Sequence, residues 1–339
     1  MRMRLVVVLS AAICGWSWCQ EPAAPVRAAA DPLAGLPVLA KTLPATVDAP
    51  EAKEEVAPGV RMVRNERVVL DGTFIIDKGP VDGMEVLACL KDGKTHEALI
   101  RLQTTNGQLV KFAVMAALGL PDGVPAPEGS GLPARGTPVR VRALWKDDLG
   151  AWRSIDVSCL VRDRVIDRGY PPLPFTYTGS RFQVVQEPGP DGSPVRHEKF
   201  MLDTTRSVIA SFDEPDALLA SPFPGAIQDA RFEANSALLP PVDTPVQVVI
   251  ERTELPLALG LDDQGQLTSA AGDVLDDAGL GAELAKHFGA GTEPGLRAVG
   301  VRVARSVDRG LDVAARSRIL SAAAAAKAWV VPVFILAPE

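Results

Sequence analysis

Proline sets the first limit on what this chain can fold into. There are 29 prolines among 339 residues, accompanied by 29 glycines. Each proline removes a backbone donor and fixes φ, so turns and linkers are plentiful and elements are short. The length is about twice a domain of roughly 150 residues, and two compact modules with tails are expected. Hydrophobic residues at 47% suffice for ordinary cores. A formal net charge of −7 argues against a chain that holds nucleic acid by neutralising phosphates.

Prolines are densest between Gln20 and Gly59, at Pro22, Pro25, Pro32, Pro37, Pro44, Pro50 and Pro58. With no periodic apolar face, residues 20–59 are expected to be an extended, disordered tether. Ahead of it, residues 1–19 have the grammar of an export signal. Arg2 and Arg4 form a basic start, Leu5 to Cys14 is a short apolar run, and Ser17 and Cys19 offer small residues for cleavage. The run is too short to span a bilayer comfortably, and no comparable stretch follows. These features predict a periplasmic or secreted protein with no transmembrane segment in the mature chain. Retention of the segment as an anchor is the alternative.

Folded structure is expected from Val60. Arg67–Ile76, Met84–Leu90, Pro138–Trp145, Trp152–Val161, Arg181–Gln186 and Pro245–Glu251 are rich in β-branched and aromatic residues, which predicts strands. Between them, Leu109, Phe112, Ala113, Ala116 and Ala117 repeat at three and four residues, the period of one helix over 109–120. Ser211–Leu219 is predicted as a second, short helix, with Ser211 or Asp213 as its cap and Pro215 in its first turn. The fold class is α+β: a predominantly antiparallel central domain over 60–252 with few helices. A small α/β domain over 253–339 follows. There, 255–261 and 266–270 flank an Asp262-Asp263-Gln264-Gly265 turn, and Asp277–Phe288 is an amphipathic helix. Arg297–Ala304 is a strand, Asp308–Lys327 an alanine-rich helix and Trp329–Leu336 a last strand, in which Pro332 demands an edge or a bulge.

Three stretches of the central module carry a resemblance. Lys91-Asp92-Gly93-Lys94-Thr95-His96-Glu97-Ala98-Leu99 comes first, then Phe175–Phe182, then Val208–Leu219 with its Ser211-Phe212-Asp213-Glu214-Pro215 core. In this order they resemble the YdjY domain of exported bacterial proteins, over roughly 60–252. Ala98 stands where the family usually has serine. The resemblance implies an exported α+β protein and names no reaction. Some relatives carry ferredoxin-type cysteine clusters, but this chain has no Cys-x-x-Cys, so no iron–sulfur centre and no other cofactor is expected. The element order of residues 253–339 is similar to the periplasmic domain of ExbD/TolR-type proteins, which implies a peptide- or partner-binding role.

Gly93, Lys94, His96 and Glu97 are the candidate ligand-binding residues. Glycine permits a tight turn whose amides, beside Lys94, suit an anion, and His96 oriented by Glu97 suits proton transfer or a metal. The same His-Glu pair also serves if it only fixes the loop by local hydrogen bonds. No catalytic residue and no metal site is expected. His197 falls in turn-rich sequence, and His287 at a helix end. Cys89 and Cys159, which remain after loss of Cys14 and Cys19, are a candidate disulfide. The leading reading is a binding or envelope-associated protein for a small ligand, a peptide or an envelope partner. The alternative is an enzyme or metal-dependent protein centred on His96 and Glu97.

Overall fold

The computed structural model describes residues 42–49, 54–78, 83–127, 129–228, 230–289 and 296–337. The signal-like residues 1–19 lie outside them. Among the described residues no helix is long and apolar enough to cross a membrane. Strand is the dominant structure and the fold is α+β.

Eight strands form the wall of the central module. They are β1 (Arg67–Phe74), β2 (Val86–Cys89), β3 (Ala98–Leu102), β4 (Thr137–Lys146), β5 (Phe175–Tyr177), β6 (Ser207–Ala210), β7 (Leu219–Ala220) and β8 (Pro245–Arg252). Their ladders run β1–β8–β4–β5–β7–β6–β2–β3 and return to β1, so the sheet closes on itself. All neighbours are antiparallel except β2 with β3 and β6 with β7. Closure needs shear, and β1 and β4 supply it by dividing one edge between two partners. β1 pairs with Val60–Val63 through residues 67–70 and with β3 through residues 72–74. β4 meets β5 at residues 137–139 and Trp152–Asp156 at residues 142–146.

The period of two decides what lies inside. Val68, Leu70, Val141, Ala143, Trp145, Val246, Val248 and Ile250 belong to one large apolar core. Phe74 packs edge-on against Trp145 there, with ring centres 5.8 Å apart. Val69, Leu144 and Val249 form a second small cluster, covered by Val47 and Trp152. These strands are therefore apolar on both faces. Helix α1 (Gly107–Leu118) joins the main core through Val110, Ala113, Val114, Ala117 and Leu118. Asn106 caps it by accepting from the Leu109 amide, and Gly119 ends it at φ 58°. The expected helix is present, but Phe112, assigned to its inner face, is exposed.

Three expectations are corrected. Residues 20–59 are not wholly an unpaired tether: Ala45–Thr46 pairs with Trp152–Asp156, and Glu54–Ala57 pairs with Val60–Val63. Val47 gains cover for its side chain, which outweighs the local proline signal. Ser211–Leu219 is not a helix. The Ser211 hydroxyl and amide bond instead to the carbonyls of Met84 and Glu85, so tertiary hydrogen bonds replace helical ones. A short α2 (Leu202–Thr205) forms just before it.

The third correction is the disulfide. Cys89 and Cys159 are both buried free thiols. Cys89 ends β2 and packs with Val86 and Ala98, whereas Cys159 follows the Trp152–Asp156 strand and packs in the main core. Four ladder steps part β2 from β4 in either direction, so the two strands stand on opposite sides of the ring. The packed interior between them exceeds the roughly 7 Å limit for bridged Cα atoms. Burial pushes the Cys89 thiol up to about 11 and, with Asp156 adding, Cys159 to about 12. At about pH 8 only about one Cys89 in a thousand is then a thiolate. We expect iodoacetamide to leave both unmodified in the native protein and to label both, without reductant, after denaturation. Failure to label either in the denatured chain would restore the bridge.

The C-terminal module has its own core around Leu259, Leu280, Leu284, Val301, Ile319 and Phe334. Strands β9 (Ala258–Leu261), β10 (Leu267–Thr268), β11 (Leu296–Val303) and β12 (Trp329–Leu336) lie in the order β10–β9–β11–β12. β9, β11 and β12 are parallel, with helices α3 (Asp277–Phe288) and α4 (Arg309–Ala325) packed together beside them. Pro332 sits in the last strand of this order, as its missing donor requires.

The modules interlock. Arg135, 1% exposed, reaches from the central module to Asp312 of α4, itself 0% exposed, with bonds of 2.7 and 2.8 Å. It also donates to the carbonyls of Val307, Asp308 and Ala304. The next amide, Gly136, bonds to the Phe334 carbonyl on the free side of β12. A side chain on Gly136 would run into the Tyr177 carbonyl, so this close crossing requires glycine.

Candidate functional site

Two crossovers of unusual shortness place the candidate residues. Parallel neighbours normally need a dozen or more residues to connect. Here β2 reaches β3 through residues 90–97, and β6 reaches β7 through residues 211–218. The first crossover is wound tightly. Gly93, Thr95 and Glu97 donate their amides to the carbonyls of Leu90, Gly93 and Lys94. Those donors are taken, so the expected anion cradle is not formed by them. The role of Gly93 is steric: an added Cβ would lie 2.7 Å from the Arg206 Cβ and 2.9 Å from that of Cys89.

The surroundings of Lys94 are acidic. Its ammonium lies 3.3 Å from Glu85 Oε2 and 3.8 Å from Glu97 Oε2. Burial works against its charge, yet Glu214, Glu85 and Glu97 together hold its pKa above the ordinary lysine value. Glu85 immediately precedes β2, and its carbonyl accepts from the amides of Ser211 and Phe212 at the opening of the second crossover. Glu214 belongs to that crossover. Burial raises its pKa, with Asp216 and Glu85 adding and Ser207 and Lys94 opposing. The Glu85 carboxyl is likewise raised by burial and then by Glu97.

Of the four expected site residues, Lys94 and Glu97 meet in one cluster and Gly93 shapes the loop beneath it. His96 stands outside. Its side chain is 76% exposed, and Nε2 lies 2.9 Å from Glu97 Oε1. His197 pairs with Glu187 on a distant hairpin, and His287 lies by Glu283 on α3. Among the described residues no three His, Cys, Asp or Glu side chains are grouped to hold a metal ion.

Sequence reasoning missed Glu85, Ser207 and Glu214. The available signal was the order of the three resembling stretches. They converge on residues 211–218: Lys94 approaches Glu214, Thr178 Oγ1 donates to the Ala217 and Leu218 carbonyls, and Ser180 Oγ donates to the Asp216 carbonyl.

A second exposed feature lies away from this cluster. Strands Phe182–Pro188 and Pro194–Phe200 form a two-stranded hairpin that, among the described residues, pairs with no other strand. Phe182 is 54% and Val184 62% exposed. Its base is pinned to α1 by Lys111, whose ammonium sits 5.8 and 5.4 Å from the Phe182 and Phe200 ring centres and 2.7 Å from Asp122. An open groove of about 350 Å³ runs there between Gln108, Glu198, Phe200, Asp203 and Thr204. No family model, curated protein or solved structure matches the chain.

Proposed function

We propose that this is an extracytoplasmic, envelope-associated binding protein that meets a macromolecular partner through its outer surface. The observation that carries this reading is the projecting hairpin. A two-stranded ribbon is marginally stable alone, yet this one exposes Phe182 and Val184 beside an open groove at its base. The filled barrel supports the same reading, since its interior is occupied by apolar side chains. The export grammar of residues 1–19 supports the compartment, and the order of three motifs supports kinship with YdjY-type exported proteins. An enzyme centred on His96 and Glu97 finds less support, because Glu97 is shared with Lys94 and His96 faces solvent.

The test is sedimentation with purified envelope fractions of the source cell. The intact chain is expected to pellet with them, and a variant with residues 183–199 replaced by a short Gly-Ser turn to remain in the supernatant with an unchanged melting midpoint. His96→Ala should pellet like the wild type. Equal pelleting of the hairpin variant, or loss of pelleting only in His96→Ala, would overturn the proposal.

A further inference from the structure

We propose that Glu85, Glu97 and Glu214 form a proton-binding latch over the barrel wall, which tightens the two short crossovers when the surroundings become acidic. The charge count comes first. Glu85 and Glu97 lie 3.3 and 3.8 Å from one ammonium, and Glu214 acts on it from the second crossover, so the fully ionised cluster carries an excess of negative charge. The neighbouring charges do not relieve it. Arg181 pairs with Asp216 and Arg206 with Asp92, while His96 meets Glu97 only from the exposed side. Asp213 favours the charged forms of Arg309 and Arg316 in the C-terminal module, and Arg101 of β3 acts on Cys89.

Hydrogen bonding is the second observation. Ser207 is wholly buried, and its Oγ has no hydrogen-bond partner among the described residues. Glu97 Oε2 is also shielded from water, with no hydrogen-bond donor. A buried acceptor without a donor is costly. A proton on Glu85 supplies the donor that Glu97 lacks, and a proton on Glu214 removes its repulsion with Asp216 and Glu85. Glu85 and Glu97 meet the same ammonium and repel one another when both are ionised, which favours a proton on Glu85.

The raised values of Glu85 and Glu214 agree. For a carboxyl raised in the folded state, the stabilisation is complete below its ordinary value of about 4.3. It is lost as pH climbs through the raised one. The protonated cluster therefore holds residues 90–97 against 211–218, and the ionised cluster pushes them apart.

The experiment compares the full chain with a Glu85→Gln, Glu214→Gln variant by amide hydrogen exchange at about pH 5 and about pH 8, corrected for intrinsic rates. In the wild type, residues 90–97 and 211–218 are expected to exchange on the order of threefold or more slowly at the lower pH. The variant should keep the low-pH protection at both. Equal wild-type protection at both pH values, or a pH ratio unchanged in the variant, would overturn the latch. Carboxyl carbon NMR of wild-type protein labelled in glutamate provides a reading that needs no mutant. Two glutamates titrating above the ordinary range are expected, and none doing so would end the proposal.

Discussion

Asp312→Ala is expected to be the most damaging single change in the molecule, lowering stability by about 3–5 kcal/mol and the melting midpoint on the order of 10 °C. The carboxylate is fully buried and receives two bonds from Arg135, with Arg309 Nε 3.5 Å away. Its loss leaves the Arg135 guanidinium buried without its charge partner, in a region where Arg309 and Arg316 already hold lowered pKa values through burial. Arg135→Met should be milder, because Arg309 still neutralises Asp312. The combined Arg135→Met, Asp312→Leu variant should recover part of the loss. Recovery cannot be complete, since the carbonyls of Val307, Asp308 and Ala304 each lose a donor, Asp308 and Ala304 keeping a backbone amide. Chemical denaturation of the three variants checks this. Equal stability of Asp312→Ala and wild type would show that Arg135 is compensated by those carbonyls alone.

Phe74→Ala is the second large effect, at about 3–5 kcal/mol. Phe74 is completely buried at the end of β1, and it lies edge-on to Trp145 of β4, the strand on the other side of β8. Removing the ring leaves a cavity that the closed wall cannot collapse to fill, because both edges of β1 are already paired. Trp145 fluorescence should report it directly, through a changed emission in the native state as well as an earlier unfolding transition. A loss under about 1 kcal/mol would mean that the ring of strands is more yielding than a packed core allows.

What the sequence disclosed and what it concealed follow from the range of the forces involved. Asp277–Phe288 and Trp329–Leu336 match their expected bounds because period, caps and length are local properties. Ring closure was not legible. It depends on β8 pairing with both β1 and β4, more than a hundred residues away, and nothing near Val246 or Val248 signals two partners. The same range explains Ser211–Leu219, where a good local capping pattern yields to bonds with Met84 and Glu85. In the candidate site, Lys94 and Glu97 were found because they share a short loop. Glu85 and Glu214 lie in separate stretches, and only the two crossovers bring them to one ammonium.

The crossing at Arg135 has a consequence for how the chain is made. On a ribosome, the central module is complete as far as Arg252 before α4 has emerged. Arg135 then has no Asp312 to meet, and Gly136 has no Phe334 carbonyl. The nascent barrel must wait with an arginine and an edge of backbone in water, at a synthesis rate of about 5–20 residues per second. Its final locking thus waits until residues near 334 have left the ribosome. A chain shortened by even a few residues before Phe334 would finish translation yet never reach that step.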